Sequence, residues 1–251
     1  MTSVDKQAVA HAFGRAAVHY HQHDALQRRS AAQLLTLLPK RHFPRVLDAG
    51  CGPGRYSRYW RESGSHVTAL DLAADMLQQA QYQQVADDYL LADIEAIPLP
   101  DSGFDLVWSN LAVQWCSDIH LALSELYRQL KPGGVLAFTT LTAGSLPELN
   151  IAWQTLDDAH HANCFLPTEA LENALSQWHY QCSHTTLSQW FPNALHAMQS
   201  LQGIGATHLH QGRSPQTLTR SKLKRLEQAW PAQNGAYPLS YHLFSGVITR
   251  D

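Results

Sequence analysis

Long apolar runs are missing from these 251 residues, and no stretch approaches the ~20 residues that a membrane-spanning helix requires. The opening MTSVDKQAVAHAFGRAA lacks the uninterrupted apolar centre of a secretory signal, so a cytoplasmic protein is expected. Cysteine is scarce. Cys51, Cys116, Cys164 and Cys182 form no CxxC pair and are too sparse for a disulfide framework, which suits a reducing compartment. Surplus positive charge is absent as well: Lys and Arg number 18 against 21 Asp and Glu, a formal net charge of -3, so nothing draws the chain as a whole to nucleic acid. Histidine alone is plentiful. His19 and His23 stand four apart in HYHQHD, a metal-binding spacing on a helix, but no carboxylate or cysteine partner stands at a recognisable spacing. They are read as solvated histidines, and no metal is expected.

What is present is a strongly patterned chain, 45% hydrophobic. Val9, Ala12, Phe13, Ala16, Ala17 and Tyr20 recur at helical spacing and predict an N-terminal amphipathic helix. Asp24 is placed to cap a second helix, with Gln27 three residues on as the partner of a capping box and Pro39 as its stop. From residue 45 the period changes. RVLDAG, HVTALDL, DYLLADI, FDLVWSNLAV and VLAFTTL read as strands, and helical patterns separate most of them; the helix before the fifth strand should end at KPGG. Alternation of this kind predicts a parallel sheet covered on both faces, the α/β doubly wound class. Beyond Thr142 the regularity weakens. Helices are expected at LPELNIAWQTLDD and TEALENALSQW, and a strand near CSHTTLSQWF. A helical segment from about Pro192 to Trp230, interrupted by the loop GIGATHLHQGRSPQ, should lead to a last strand in SYHLFSGVITR.

The chemistry concentrates in RVLDAGCGPGRYS. Gly50, Gly52 and Gly54 let the backbone approach a ligand closely at a strand-to-helix turn. The spacing is GxGxG, with no glycine at 55, and Asp48 precedes it. A carboxylate there repels a pyrophosphate and attracts an ammonium or a sulfonium, which S-adenosylmethionine carries. Asp71 ends the second strand, about twenty residues on, where an acidic side chain accepts both ribose hydroxyls of an adenosine. That holds for NAD and for S-adenosylmethionine alike. Asp93 ends the third strand and is placed for the adenine amine, its alternative role being a cap on DIEA. Leu72 follows Asp71, and Met76 and Ile94 can sandwich the ring, with helix core as the competing role for Met76.

VLDAGCGPG, ALDLAADML, ADIEAIPLPDSGFDLVWSNLAVQW and LKPGGVLAFTTL stand in this order over residues 45 to 141, and in this the chain resembles the class I S-adenosylmethionine-dependent methyltransferases. The resemblance implies a seven-stranded sheet whose final strand is antiparallel, and S-adenosylmethionine as cofactor with S-adenosylhomocysteine as product. It divides the chain into a helical cap at 1–39, a cofactor-binding core at 40–145, and a part at 146–251 that completes the sheet and carries a helical lid at about 192–236. The flanks AFGRAAVHYHQHDALQ, NLAVQWCSD, TTLTAGSLPELNIAW, GIGATHLH and YPLSYHLFSGVI are similar to the malonyl-[acyl-carrier protein] O-methyltransferase family of biotin synthesis. That closer likeness implies methylation of the free carboxyl of a malonyl thioester, with an acidic acyl carrier protein as partner, and a monomer acting away from membranes and nucleic acid.

Several residues acquire roles through the same resemblance. The N-terminal helix closes over the cofactor, which makes Arg15 and Tyr20, together with Trp115, candidates for positioning substrate, and Tyr20 a cofactor contact as well. Solvated face and core are their bland alternatives. Gln27 corresponds to a cofactor-side glutamine, and Asn110 and Trp115 follow the fourth strand at the carboxyl edge, where ligands of open α/β sheets bind. Arg220, Lys222, Lys224 and Arg225 in RSKLKR form a basic patch for carrier docking, with a soluble helix face as the alternative. Arg213 and His208 are candidates for the pantetheine entrance or for gripping the malonyl carboxylate. Three rivals remain at this stage: a quinone C-methyltransferase or a methyltransferase of other carboxylates, a NAD-dependent oxidoreductase, and a non-catalytic adenosyl-binding regulator.

Overall fold

The computed structural model describes residues 4–101, 103–157, 161–204 and 219–251. Helices α1 (Lys6–Ala16) and α2 (Ala25–Leu37) precede the alternating region. There follow β1 (Arg45–Ala49), α3 (Arg55–Glu62), β2 (His66–Asp71), α4 (Ala74–Tyr82), β3 (Asp88–Leu91), β4 (Phe104–Asn110), α5 (Ile119–Arg128) and β5 (Leu130–Leu141). The rest comprises α6 (Pro147–Trp153), α7 (Thr168–Leu175), β6 (Tyr180–Phe191), α8 (Ala194–Gly203), α9 (Arg220–Ala229) and β7 (Tyr237–Thr249). Among the described residues the strands form one sheet in the order β3-β2-β1-β4-β5-β7-β6. The first five strands are parallel, and β7 runs antiparallel between β5 and β6.

Successive strand residues feed opposite cores, as the two-residue period of a strand requires. Leu47, Val107, Leu136 and Phe138 pack beneath α5 and α7, while Val46, Leu106, Trp108 and Ala137 pack with Leu34 of α2 and Trp60 of α3. Both faces are therefore apolar, which is why the strands read as continuous hydrophobic runs. A third cluster joins α6, α8 and α9 to the far end of β7: Leu226 and Trp230 are buried there, and the Trp230 indole N–H donates to the Pro238 carbonyl at 2.8 Å.

Local details depart from the sequence patterns for identifiable reasons. Tyr20 does not continue α1. The chain leaves the helix after Ala16 and Tyr20 opens a 3-10 turn, Tyr20–Gln22, that carries it over the sheet edge, so His19 and His23 share no helix face. Asp24 starts α2 without a side-chain cap. Its buried carboxylate takes Arg55 at 2.7 Å and Arg28 at 3.0 Å instead, because ion pairs spare a desolvated carboxylate better than one N–H does. KPGG lies inside β5 as a bulge rather than ending a helix: α5 stops at Arg128, and register with β4 shifts between Phe104 and Leu106. The long helical segment resolves into α8 and α9, and residues 205–218 between them, with His208 and Arg213, lie outside the described residues.

Candidate active site

Strand order reverses between β1 and β4, and the loops leaving their carboxyl ends, Gly50–Gly54 and Leu111–Trp115, face each other across a crevice. Gly50 and Gly52 both have positive φ, 77° and 55°, a region that side chains avoid. A Cβ on Gly50 would run into the Ala112 Cβ at 2.3 Å, whereas one on Gly52 would meet nothing within 4 Å. The turn is therefore pressed against the opposite loop at Gly50 and bare toward open space at Gly52. Asp71 holds it in place, one carboxylate oxygen accepting from Gly52 N and the other from Ala73 N, each at 2.8 Å.

The crevice is lined by Gly50, Gly52, Asp71, Leu72, Met76, Asp93, Ile94, Asn110, Tyr20 and Trp115, so residues chosen from five separate stretches of sequence meet in one place. Met76 is buried against Ala17 and Ala73, as its helix-core reading has it, and also lines the crevice. Asp93 turns the chain at Glu95, whose N–H it accepts at 3.0 Å, and its same oxygen takes the Lys6 ammonium at 3.0 Å. Lys6 also pairs with Glu95, so α1 is tied across the mouth of the crevice by one side chain.

An adjoining cleft of about 810 Å³ is lined by Asp48, Gln27, Tyr20 and Asn110 along with the glycine turn. Asp48 sits beneath the turn, only 3% exposed, and accepts from the Ser57 hydroxyl at 2.6 Å. Burial pushes its carboxyl up to about 7, the Ser57 bond pulling down and the Asp71 charge adding to the rise. Burial likewise raises Asp71, against the pull of its backbone N–H partners. Two desolvated carboxylates side by side make this end of the crevice a seat for positive charge. Asn110 donates to the Gln27 carbonyl at 3.0 Å and accepts from Ser30 and Thr139 at 2.8 and 2.9 Å, which pins β4 to α2.

A third, smaller cavity shares Phe13, Tyr20, Leu111 and Trp115 with the crevice and extends toward α6 and α8. Phe13 meets Trp115 edge-on at 5.1 Å between centroids, and Leu111 holds φ 54° to turn the chain out of β4. The Tyr20 hydroxyl is raised by burial, then by Asp71 and Asp24, and so stays neutral; Gln27 hydrogen-bonds it. The Gln27 Oε1 is buried with no hydrogen-bond partner among the described residues.

Arg15 stands exposed in the last turn of α1 and is not among the residues lining these cavities. Arg220, Lys224 and Arg225 are exposed on α9, with Lys222 half-buried and Arg225 bonded to the Thr155 carbonyl. Three lining residues were not singled out from sequence: Lys6 at the crevice, and Gln114 and His161 in the third cavity. Lys6 carries no local signature, because its partners are some ninety residues away, and His161 reads only as one histidine among fifteen.

The architecture, with its crevice at the reversal of strand order and a penultimate strand position filled by antiparallel β7, is the class I methyltransferase fold. A family model described as a methyltransferase domain matches residues 47–138. Among solved structures, the YcgJ protein of Bacillus subtilis shares the fold with a TM-score of 0.62 at 18% identity, covering 89% of this chain and 98% of that one. A putative methyltransferase of Bacillus halodurans does so with 0.61 at 18% identity, covering 88% and 99%. Closer in sequence, the malonyl-[acyl-carrier protein] O-methyltransferases of Enterobacter lignolyticus and Salmonella typhimurium are 64% and 62% identical over 251 residues, the full length of both partners in each case. That of Pseudescherichia vulneris is 57% identical, again over the full length. The chain belongs to the malonyl-[acyl-carrier protein] O-methyltransferase family.

Proposed function

We propose that the protein methylates the free carboxylate of a malonyl group held as a thioester on acyl carrier protein, using S-adenosylmethionine, and so supplies the methyl ester that starts pimelate synthesis for biotin. The observation that carries this reading is the junction at Tyr20 and Trp115. There the crevice opens into a small cavity, and the described residues shared by both, Phe13, Tyr20, Leu111 and Trp115, include no strong base. A carboxylate needs none, since it is already ionised at neutral pH.

The crevice fits the methyl donor on its own terms. Each oxygen of Asp71 spends one lone pair on the turn and keeps another for a ribose hydroxyl, because a carboxylate offers about four acceptor sites. The bare face of Gly52 admits the ligand, Asp48 and Asp71 balance its positive charge, and Met76 and Ile94 take the ring. Asp93 keeps Oδ2 free of protein partners among the described residues, available to an amine. When bound, the donor supplies an electrophilic methyl carbon whose bond to sulfur breaks, the electrons staying on sulfur, as a carboxylate lone pair forms the new C–O bond; no proton moves.

The protein's part is then alignment and exclusion of water. Gln27 donates to the Tyr20 oxygen, which leaves the neutral Tyr20 hydroxyl proton free to hold one carboxylate oxygen while the other attacks. Phe13, Leu111 and Trp115 wall the junction off from solvent. Lys6 secures α1 over the crevice.

α9 suits a carrier partner. Leu226 and Trp230 face the core, while Arg220, Lys224 and Arg225 remain exposed on a chain of net negative charge, giving a local basic face for an acidic protein. Free cysteines, two of them exposed, support a cytoplasmic setting. Mass spectrometry of malonyl-acyl carrier protein incubated with the protein and S-adenosylmethionine tests the reading. One added methyl group is expected, and an unchanged mass, with the donor demonstrably bound, overturns it.

A further inference from the structure

We infer that His161, paired with Asp157, is the side chain that recognises the negative charge of the substrate, and so selects an acid over a neutral acyl group. The inference rests on the malonyl reading above and adds to it a specificity-determining residue. The cavity beyond Tyr20 and Trp115 is walled mainly by carbon: Leu26, Leu141, Leu146, Leu149, Phe165 and Ile204 contribute most of it. An ionised carboxylate entering such a space gives up its hydration and must find a compensating cation or donor. Among the described residues that line the cavity, His161 is the one side chain able to carry positive charge.

Its placement is unlike that of a solvated histidine. The imidazole lies flat on Trp153, ring centroids 3.7 Å apart and planes within 10°. Its Nε2 meets Asp157 Oδ1 at 2.7 Å, and the two side chains are only 10% and 15% exposed. Trp153 is the last residue of α6 and Asp157 follows it by four, so stacking and ion pair together fix the ring orientation. With Nε2 given to Asp157, the remaining ring nitrogen, Nδ1, is the atom left for a ligand. Protonated imidazole has two N–H groups, one for Asp157 and one for a carboxylate oxygen, whereas in the neutral ring that donates to Asp157, Nδ1 is an acceptor and repels a carboxylate. A malonyl acid and His161 therefore suit one another only as an ion pair. Tyr20 and Tyr241, the other titratable groups lining the cavity, are both raised by burial and stay neutral, so they offer hydrogen bonds without competing for the charge.

This arrangement also settles a chemical requirement. The carboxylate has to be held firmly enough to enter an apolar space, yet keep one oxygen for attack. A single His161 N–H, sharing the oxygen that the Tyr20 hydroxyl holds, does that, where a bidentate guanidinium would occupy both oxygens.

The test is equilibrium binding of malonyl-pantetheine and acetyl-pantetheine to the full chain, with S-adenosylhomocysteine present to prevent turnover. The wild-type protein should bind the malonyl thioester more tightly than the acetyl one. In His161→Gln, which keeps a hydrogen bond and loses the charge, that preference should shrink about tenfold or more, from loss of a charge-assisted contact. Affinity for S-adenosylhomocysteine should hold, which general disruption of the fold would not allow. A preference retained in His161→Gln overturns the assignment. Absence of the preference in the wild-type protein instead overturns the malonyl reading itself. Should the variant fail to fold, proton NMR of the wild-type protein decides. The His161 ring protons, set apart by the ring current of Trp153, should shift with malonyl-pantetheine and stay in place with acetyl-pantetheine; equal response to both overturns the inference.

Discussion

Replacing Asp71 with asparagine changes one atom type and almost no volume, which makes it a clean probe of how the glycine turn and a ribose share one carboxylate. In the native chain each Asp71 oxygen already accepts one backbone N–H at 2.8 Å, from Gly52 and from Ala73. Asparagine has a single acceptor oxygen, so one of those N–H groups faces an NH2. Leaving one such donor unmade costs about 1–3 kcal/mol. The ribose hydroxyls lose the ionic share of their bonds to the carboxylate, roughly 1 kcal/mol between them. With the turn already weakened in the free protein, the part that reaches ligand affinity is on the order of 2 kcal/mol, or about thirtyfold at 1.4 kcal/mol per decade. Calorimetric titration with S-adenosylhomocysteine measures it directly. Asp75→Asn, a change of the same kind at an exposed carboxylate on α4, should leave the affinity alone. A dissociation constant for Asp71→Asn within threefold of wild type would show that the carboxylate organises nothing the ligand uses, and the crevice would then need another reading.

The other expectations are briefer. Asp48 is raised to about 7 by burial, so a cationic ligand that needs its carboxylate form should bind about tenfold less tightly per pH unit as pH falls from 7 to 5, and titration of Asp48→Asn should lose that slope. The sign for folding is opposite: a raised carboxyl binds its proton more tightly when folded, so Asp48 costs the ligand-free protein stability as pH climbs from about 4, its unfolded value, to about 7. The melting temperature of wild type relative to Asp48→Asn should fall over that window. Reversing Lys222 and Arg225 to glutamate should slow methylation of the carrier-protein substrate and spare the coenzyme A thioester; equal slowing of both counts against docking on α9. Lys6→Ala removes a partly exposed ion pair and should cost under about 1 kcal/mol of stability. It should nevertheless speed ligand dissociation several-fold in stopped-flow measurements, since α1 loses its tie to Asp93 and Glu95.

The division between what the sequence reveals and what it hides follows the range of the interactions involved. The strands β1 to β5 are legible because burial on both faces writes itself as continuous apolar runs, and the turn at Gly50 and Gly52 because positive φ narrows the choice of residue. Asp71 is legible because it ends β2 at the carboxyl edge of the sheet; Asp93, expected to end the third strand, lies two residues past β3, at the turn into the β3–β4 connection. Asp24 is misleading from sequence: the spacing to Gln27 fits a capping box, yet Arg55, thirty-one residues away, offers its carboxylate a charge, and a charged partner outweighs a neutral N–H in a buried place. Tyr20 falls at the right helical interval but lies past the end of α1, since periodicity counts positions and does not see where the axis stops.

Lys6 and His161 show where local reading ends. Neither has a neighbour in sequence that marks it, for Lys6 finds its carboxylates on the β3–β4 connection and His161 draws its setting from a tryptophan eight residues back and a cavity assembled from α1, α2, α6 and α8. Lys6 lines the crevice and His161 the cavity beyond the Tyr20–Trp115 junction, so both side chains come from segments outside the alternating core. The core itself contributes carboxylates and bare backbone, features any methyl donor of this type requires. On the proposed reading, choice of acceptor falls to α1, α6 and α8. Exchanging those segments between relatives should then move acceptor preference while leaving donor affinity where it was.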